Sequence, residues 1–263
     1  MSCCTKEYLD NLVKKYETND FIKDDPVQFM HRFKDKKDIE IAAFLAAMFA
    51  YGKREAFIAK LNLLFERMDN KPYEFVLNFK EDSTAVDDID YRFSTGIDLK
   101  QILLILKDLY KSGSSLEELF AHGWNRCKEV AAMLQVVVDY FYARVTLPVT
   151  KGFYHLLPNP SKKSACKRLN MFLRWMIRKS AVDFGIWNFM PASELLIPLD
   201  VHVSKISRKL GLLNRKQNDF AAVKELTAKL KEFEPSDPVK YDFAMFGYGV
   251  DAAASSSSLS SSN

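Results

Sequence analysis

The sequence predicts an all-α fold. Nearly every segment with a periodic hydrophobic pattern has the period of a helix, and alternating, strand-like segments are nearly absent. Helix-start signals support this prediction, because Asp25-Pro26 and Asp237-Pro238 each place an N-cap aspartate before a proline at the first helical position. We therefore predict a helical domain over residues 1–250, without internal repeats.

One apolar stretch dominates the first half of the chain. Residues 38–51 are apolar nearly all round, which is typical of a central buried helix, and Gly52 should end it. Residues 81–96 are acidic and irregular and predict a loop. The other helices predicted in this half are 6–16, a short one from Pro26 through Phe33, 54–68, 72–79, 99–110 and 115–121.

The second half is also helical. Residues 125–144 have a long apolar face and predict one helix, whereas residues 182–193 lack periodicity and predict a loop. Further helices are predicted at 201–210, ended by Gly211, at 219–233, and from Asp237-Pro238 to about 247. The low-complexity tail at 251–263 is predicted to be disordered.

Composition argues against membrane and disulfide-rich secreted classes. The chain of 263 residues is 48% hydrophobic and 27% charged, as in ordinary globular proteins. No apolar run reaches the length of a membrane span, and the N-terminus lacks a secretory signal, so we expect a cytoplasmic protein. The four cysteines have no CxxC spacing, which predicts reduced thiols rather than a disulfide framework or a cluster.

Positive charge is concentrated in one segment. The net charge is only +4, but residues 151–217 hold 13 Lys/Arg and 3 Asp/Glu. The segments on either side are slightly acidic. Such a local excess favours a polyanion as partner, with a solvated face of ordinary helices as the alternative.

The first candidate site within this segment is the turn LPNPSKKSA, which begins at Leu157. We expect Ser161 to cap a helix that starts with the lysines, so that Lys163 lies in its first turn. The helix dipole and the neighbouring cations should then favour the free amine of Lys163. A neutral lysine can attack a sugar C1′ and form a Schiff base. The alternative is a solvated lysine that contacts phosphate.

The second candidate is Asp200, which follows Pro198 and opens the basic segment VHVSKISRKLG. Its carboxylate should cap the helix, and at a cleft edge it could also accept a proton or stabilise a cationic sugar. His202 is predicted to be packed or to face phosphate rather than to act as a catalyst. One Asp and one His at this spacing form only a weak metal motif, so no metal site is predicted.

These two stretches resemble the helix-hairpin-helix DNA glycosylase superfamily, which includes endonuclease III and the 8-oxoguanine glycosylases. LPNPSKKSA resembles the hairpin pattern LPGVGxKTA, and LDVHVSKISRKLGL resembles VDTHVxRVxxRLGL. The resemblance places Lys163 on the Schiff-base lysine and Asp200 on the catalytic aspartate. Because Asn159 and Ser161 replace hairpin glycines and Pro160 removes an N–H donor, Lys167, one turn further on, is the alternative nucleophile.

The resemblance implies two helical lobes with a cleft between them. It also implies that the hairpin and the catalytic loop lie within residues 152–212. It implies a monomer that acts on damaged double-stranded DNA, with no membrane role and no cofactor beyond a monovalent cation at the hairpin. Cleavage of a flipped, oxidised purine base is the leading hypothesis, with non-catalytic nucleic-acid binding and a helical interaction protein as its rivals. The residues expected to contact DNA are Asn159, Ser161, Lys162, Lys167, Arg168, His202, Lys205 and Arg208.

A flipped base needs aromatic or apolar side chains to stack against. The candidates are Trp187, Phe184, Phe243, Phe246 and Tyr51, with core packing as the alternative for each. We also expect Trp175 in the core and Arg174 and Arg178 exposed toward DNA or solvent. Finally, SACKRLNMFLRWMIRK, IPLDVHVSKISRKLGLL and DPVKYDFAMFGYG resemble an uncharacterised bacterial family defined as a domain of unknown function, over most of residues 5–250.

Overall fold

The computed structural model describes residues 2–249, and these are mostly helical, with three isolated β-bridges and no named strand among them. The predicted all-α class is confirmed. The predicted tail at 251–263 lies outside the described residues.

Thirteen α-helices make up the described part of the chain, with short 3-10 helices at Pro26–Arg32, Pro160–Lys162, Ala192–Glu194 and Pro238–Lys240. The α-helices are α1 (Ser2–Tyr16), α2 (Asn19–Ile22), α3 (Lys36–Phe49), α4 (Arg54–Arg67), α5 (Pro72–Asn78), α6 (Gly96–Lys111), α7 (Leu116–Cys127), α8 (Val130–Tyr142), α9 (Lys151–Leu156), α10 (Lys167–Ile177), α11 (Val201–Lys209), α12 (Phe220–Phe233) and α13 (241–249).

The chain divides into two compact units. One unit, the middle unit, runs from Asp24 to Lys162. The other, the terminal unit, joins the described residues up to Lys23 with those from Lys163 onward. The basic segment identified in the sequence therefore contributes to both units.

Helix α3 is the centre of the middle unit, as predicted. Every residue from Ile39 to Phe49 is buried, and α3 packs against α4, α5, α7 and the 3-10 helix Pro26–Arg32. Even Glu40 is buried, and its carboxylate accepts a hydrogen bond from the Tyr110 hydroxyl at 2.8 Å. A helix that is apolar on all sides is stable only inside a core, which explains its central position.

Side-chain caps fix where several helices begin. Asp35, Ser115 and Thr150 each accept a hydrogen bond from a backbone N–H in the first turn of the helix that follows. Asp25 does the same for the 3-10 helix at Pro26. Caps satisfy N–H groups that have no partner within the helix, so these starts are specified locally.

The terminal unit is built on α10, in which every residue from Arg168 to Ile177 is buried. Trp175 is fully buried, as predicted. The following loop folds back onto α10, because Phe184 N donates to Trp175 O at 3.0 Å and Trp187 N donates to Met176 O at 2.8 Å. These bonds satisfy carbonyl groups at the end of α10 and hold the irregular loop in place.

One predicted helix is divided in two, and the short helices α2 and α9 were not predicted. The helix predicted at 125–144 is split between α7 and α8, because Lys128 adopts a left-handed backbone that ends α7. Helix α9 was not predicted, since its six residues are too few to show a period. Within residues 2–249, no helix combines the length and the apolar character needed to cross a membrane.

Candidate functional site

The turn before α10 differs from its prediction. Lys163 does not lie in a helix: it is exposed and has a left-handed backbone, and α10 begins only at Lys167. Cys166, at the N-cap, is also left-handed. In addition, Lys163 O accepts from Phe220 N at 3.2 Å, so a backbone group that a helix would use is already bonded elsewhere. The predicted helix start was therefore wrong by about one turn.

The earlier part of the turn belongs to the middle unit. Ser161 does not cap a helix; instead its N–H and its hydroxyl both donate to Asn159 Oδ1, at 2.8 and 2.7 Å. Its N–H also lies 3.2 Å from Gln135 Oε1 on α8. Lys162, which ends the 3-10 turn, is exposed. Asn159 thus supplies local hydrogen bonds that the hairpin glycines of the resembled pattern would not make.

Lys167 and Asp200 are the two predicted catalytic residues that the structure brings together. Lys167 Nζ lies 3.5 Å from Asp200 Oδ2, and their side chains are 29% and 14% exposed. Asp200 Oδ1 accepts from Val203 N at 2.8 Å, which confirms the predicted cap of α11. Because charged hydrogen bonds are usually 2.7–2.9 Å long, the ion pair is loose and open to solvent.

Phe246 and His202 border this pair. Lys167 Nζ lies 5.7 Å from the centroid of the Phe246 ring, and the His202 ring meets Phe246 edge-on at 5.9 Å. His202 is half-buried and packs against Phe246, which is one of the two positions predicted for it. An amine, a carboxylate and an aromatic ring therefore lie within one small, partly exposed region of the terminal unit.

A buried carboxylate, Asp242 on α13, lies on the inner side of this region. Burial raises the pKa of Asp242 to about 7; the Arg174 guanidinium opposes the rise, and the negative charge of Asp200 adds to it. Arg174 Nη1 donates to Asp242 Oδ2. The pKa of Asp242 is therefore raised above that of an exposed aspartate, and its ion pair with Arg174 limits the rise.

Arg174 and Arg178 are not exposed, and that prediction was wrong. Arg174 Nε lies 3.2 Å from Asp183, while Arg178 lies 2.9 Å from Asp183 and 2.7 Å from Asp237. Arg178 also pairs with Glu17. Arg174 lies in α10 and Arg178 directly follows its last residue, and both are buried, so their charges are compensated by buried and half-buried carboxylates.

The other residues expected to contact DNA fall into two groups. Lys205 is exposed on α11 and available to a partner. Arg168 is buried, and Arg208 is occupied with its own chain, since it donates to Arg215 O, Lys216 O and Asn218 Oδ1 at 2.7–2.9 Å. Arg208 therefore holds the loop that follows α11, and its guanidinium is only partly available for phosphate.

The aromatic candidates for a base pocket are dispersed. Trp187 is buried and meets Phe172 edge-on at 5.1 Å, which is core packing. Phe243 is also buried, with Arg174 Cζ 5.0 Å from its ring centroid. Phe184 is half-buried in the loop after α10. Phe246 is the candidate that borders Lys167, and Tyr51 lies in the middle unit.

The described residues offer little for metal or thiol chemistry. No group of three His, Cys, Asp or Glu side chains among them is arranged to hold a metal ion. Neither Cys127 nor Cys166 forms a disulfide. Burial raises the pKa of the Cys166 thiol to about 12, which makes this thiol unreactive.

Comparison with known proteins gives one result. Residues 25–251 match the family described as a protein of unknown function, DUF2400. The chain belongs to this family. No curated protein and no solved structure matches it. The DUF2400 match covers nearly all of the middle unit and the described part of the terminal unit from Lys163 onward, but not α1 and α2. The predicted membership of a domain-of-unknown-function family is confirmed. The match names no activity.

Sequence reasoning missed Asp183 and Asp242. Asp183 stands in a loop rich in apolar residues, and Asp242 stands in the aromatic segment YDFAMFGYG. An acidic residue within such a segment is seldom left unpaired in a core. That signal, together with two arginines four residues apart in an apolar segment, would have predicted buried ion pairs.

Proposed function

We propose that the protein is a DNA glycosylase with abasic-site lyase activity, in which Lys167 is the nucleophile and Asp200 is its acid–base partner. The observation that carries the proposal is the distance of 3.5 Å between Lys167 Nζ and Asp200 Oδ2 in a partly exposed position. As part of the same proposal, the helices take the two-lobed arrangement of the helix-hairpin-helix glycosylases, with the cleft that this arrangement includes.

The chemistry uses both groups. Asp200 accepts a proton from the Lys167 ammonium, and the resulting amine attacks the sugar C1′ of a flipped nucleotide. A bond forms between the lysine nitrogen and C1′ while the bond from C1′ to the base breaks, and the base leaves with the electron pair and takes the proton held by Asp200. Opening of the C1′–O4′ bond, with transfer of a proton from the nitrogen to O4′, gives a protonated Schiff base. In the lyase step Asp200 removes a C2′ proton and the C3′–O bond breaks, so that the phosphate leaves with the electron pair; water then hydrolyses the Schiff base and releases the lysine.

The surroundings of the pair support this chemistry. Because the cap on Asp200 Oδ1 fixes the carboxylate, Oδ2 is already oriented toward the amine, and preorganisation of this kind lowers barriers. Phe246 provides a ring on which a flipped base can stack. Lys162, Lys163 and Lys205 are exposed cations of the basic segment and suit phosphate contacts.

Oxidised purines are the proposed lesions, and damaged double-stranded DNA is the proposed partner. This choice follows the resemblance of the two sequence motifs to the 8-oxoguanine glycosylases and is an argument by analogy. The second candidate function is a non-catalytic nucleic-acid-binding module. The distance of 3.5 Å between Lys167 and Asp200 favours this binding module, because ion pairs of this length at helix starts also occur in proteins that catalyse no reaction.

Borohydride trapping tests the proposal. The protein is incubated with duplex oligonucleotides that contain an abasic site or 8-oxoguanine, and a covalent adduct is sought. We expect an adduct in the wild type and in Lys229→Gln, an exposed control on α12, and none in Lys167→Gln. If Lys163→Gln removes the adduct and Lys167→Gln keeps it, the nucleophile is Lys163. Salt-dependent binding without an adduct or base release on a broad lesion panel supports the binding module instead.

A further inference from the structure

An exposed phenylalanine stands at the tip of a tight turn in the middle unit. Tyr91 N donates to Ser94 O at 2.8 Å, and Ser94 N donates to Tyr91 O at 2.9 Å, so Arg92 and Phe93 form the tip. Phe93 is 57% exposed, the largest fraction among the large apolar residues of the described chain. Arg92 has a left-handed backbone, which is unfavourable for a residue with a side chain.

Neighbouring groups hold this turn firmly. The Tyr51 hydroxyl donates to Tyr91 O at 2.7 Å and lies 3.0 Å from Ser94 Oγ, while the Tyr91 hydroxyl donates back to Tyr51 O. Gly152, at the start of α9, lies so close to the turn that a Cβ there would overlap Phe93 O. The unfavourable backbone of Arg92 therefore persists because the surroundings determine it, as is common where a side chain must be presented to a partner.

Phe93 belongs to an aromatic cluster. Its ring is nearly parallel to the Tyr51 ring, at 8° and a centroid distance of 6.4 Å. The His155 ring meets both of them edge-on, at 4.7 Å from Tyr51 and 5.0 Å from Phe93. Tyr51 and His155 thus support Phe93 from within, while more than half of the Phe93 side chain faces solvent.

One cation lies beside the exposed ring, and two more adjoin residues that contact the turn. Arg92 Cζ lies 5.4 Å from the Phe93 ring centroid. Lys53 and Lys151 are exposed and adjoin Gly52 and Gly152, the two glycines that contact the turn. An exposed aromatic face beside an arginine, with two exposed lysines next to the glycines that contact the turn, fits a ligand that is flat, aromatic and negatively charged. A peptide or another apolar partner would call for a broader apolar patch.

We propose that Arg92 and Phe93 form a stacking site for an unpaired base of a single-stranded nucleic acid, with Arg92, Lys53 and Lys151 contacting its phosphates. Bases of any type can stack on an aromatic ring, and a nearby arginine adds cation–π and phosphate contacts. Paired bases are not accessible in this way, so single strands are preferred over duplexes. The proposal is independent of the reaction proposed for Lys167.

Fluorescence measurements with single-stranded oligonucleotides test this site. The probes are a labelled thymidine decamer, for anisotropy, and a decamer that contains 2-aminopurine, whose emission falls on stacking. We expect Phe93→Ala and Phe93→Leu to weaken binding about tenfold and to abolish the quenching. Phe93→Trp should retain both. Arg92→Gln should lower the salt dependence of binding by about one phosphate contact.

Tyr154→Ala is the matched control, because Tyr154 is an exposed aromatic of the same unit whose ring contacts Tyr142 and Phe153 instead. It should bind like the wild type. Phe93→Leu keeps an apolar contact with Tyr51, so a loss in this variant reports the aromatic face rather than a damaged fold. Wild-type binding in Phe93→Leu, an equal loss in Tyr154→Ala, or binding to anionic vesicles but not to oligonucleotides would overturn the proposal.

Phe93→Leu separates this proposal from the proposed enzyme. It should bind the single strands weakly and still form the borohydride adduct with duplex DNA, because Phe93 takes no part in the reaction proposed for Lys167. If the stacking variants bind normally while the wild type still forms the adduct, the stacking site is wrong and the enzyme proposal stands.

Discussion

The two carboxylate oxygens of Asp200 have different partners, and the hydrogen bond of one oxygen fixes the orientation of the other toward Lys167. Oδ1 accepts from Val203 N at 2.8 Å and begins α11, while Oδ2 lies 3.5 Å from Lys167 Nζ. A cap of this kind restricts the rotation of the side chain, so the second oxygen is held toward the ammonium without a further partner. The structural role of Asp200 therefore supports the chemical role that we propose.

The two roles of Asp200 can be separated by substitution. Asn is as good a cap as Asp but cannot accept the lysine proton. We expect Asp200→Asn to unfold at nearly the wild-type urea concentration and to lose the borohydride adduct. Asp200→Ala should lose the adduct and also about 1 kcal/mol of unfolding free energy, because the cap is removed. Wild-type rates of adduct formation in Asp200→Asn would contradict the proposed proton transfer.

A second prediction concerns the ion pairs of Arg178, which is buried. Arg178→Met leaves the carboxylates of Glu17, Asp183 and Asp237 without this cation. Breaking a buried pair from one side typically costs about 3–5 kcal/mol, and we expect a loss of that order in urea unfolding. The control is Lys229→Met, which removes the exposed pair with Glu232 and should change stability by less than about 0.5 kcal/mol. Similar costs for the two variants would show that the Arg178 pairs are not essential.

Local patterns in the sequence predicted most helices well. The apolar period located α3, α4 and α12, and the aspartates at 25 and 200 marked helix starts, because both signals act within a few residues. The all-α class followed from the same patterns. These features depend on the chain's own backbone and on nearby side chains, so a sequence reader can find them.

The failures have a different cause. Lys163 lies outside a helix because Lys163 O accepts from Phe220 N, far along the chain, and that contact has no local signature. Arg174 is buried against Asp183, nearby in the sequence, and Asp242, far along the chain. Acidic residues in apolar segments signal such ion pairs, but the sequence does not show which arginine each of them meets. The Lys167–Asp200 pair was foreseen only as an alternative, since the motif resemblance aligned Lys163 and could not show where the helix begins.

Two glycines of the middle unit have nearly the same backbone conformation, so their alanine variants can be compared directly. Gly52 and Gly113 have φ of +81° and +84°. A Cβ at Gly52 would lie 2.5 Å from Tyr91 Oη and 2.7 Å from Arg92 Cδ, whereas a Cβ at Gly113 would meet nothing within 4 Å. Gly113→Ala should cost about 1 kcal/mol for the left-handed backbone alone.

Gly52→Ala should cost at least about 1 kcal/mol more than Gly113→Ala, since overlap with a packed side chain adds to the backbone term. Thermal unfolding of the two variants measures this difference. Equal costs would mean that the turn carrying Phe93 moves easily to make room for the added methyl group. They would contradict the view that this turn is rigid.

The raised pKa of Asp242 predicts how the stability of the protein changes with pH. Burial raises its pKa to about 7, while the Arg174 guanidinium opposes the rise. In the unfolded chain the pKa of an aspartate is about 3.9. Between about pH 4 and 7 the folded state therefore binds the extra proton, and the contribution of Asp242 to stability falls as the pH rises.

Asp242→Asn cannot ionise, so its stability relative to the wild type should increase from pH 5 to pH 8, by an amount on the order of a few kcal/mol. Urea unfolding at the two pH values measures it. The control is Asp88→Asn. Arg67 lowers the pKa of the exposed Asp88 carboxyl to about 2, so the stability of this variant relative to the wild type should not change between pH 5 and pH 8. If Asp242→Asn instead loses stability relative to the wild type as the pH rises, the ion pair with Arg174 outweighs burial, and Asp242 is a carboxylate beside Asp200 at neutral pH.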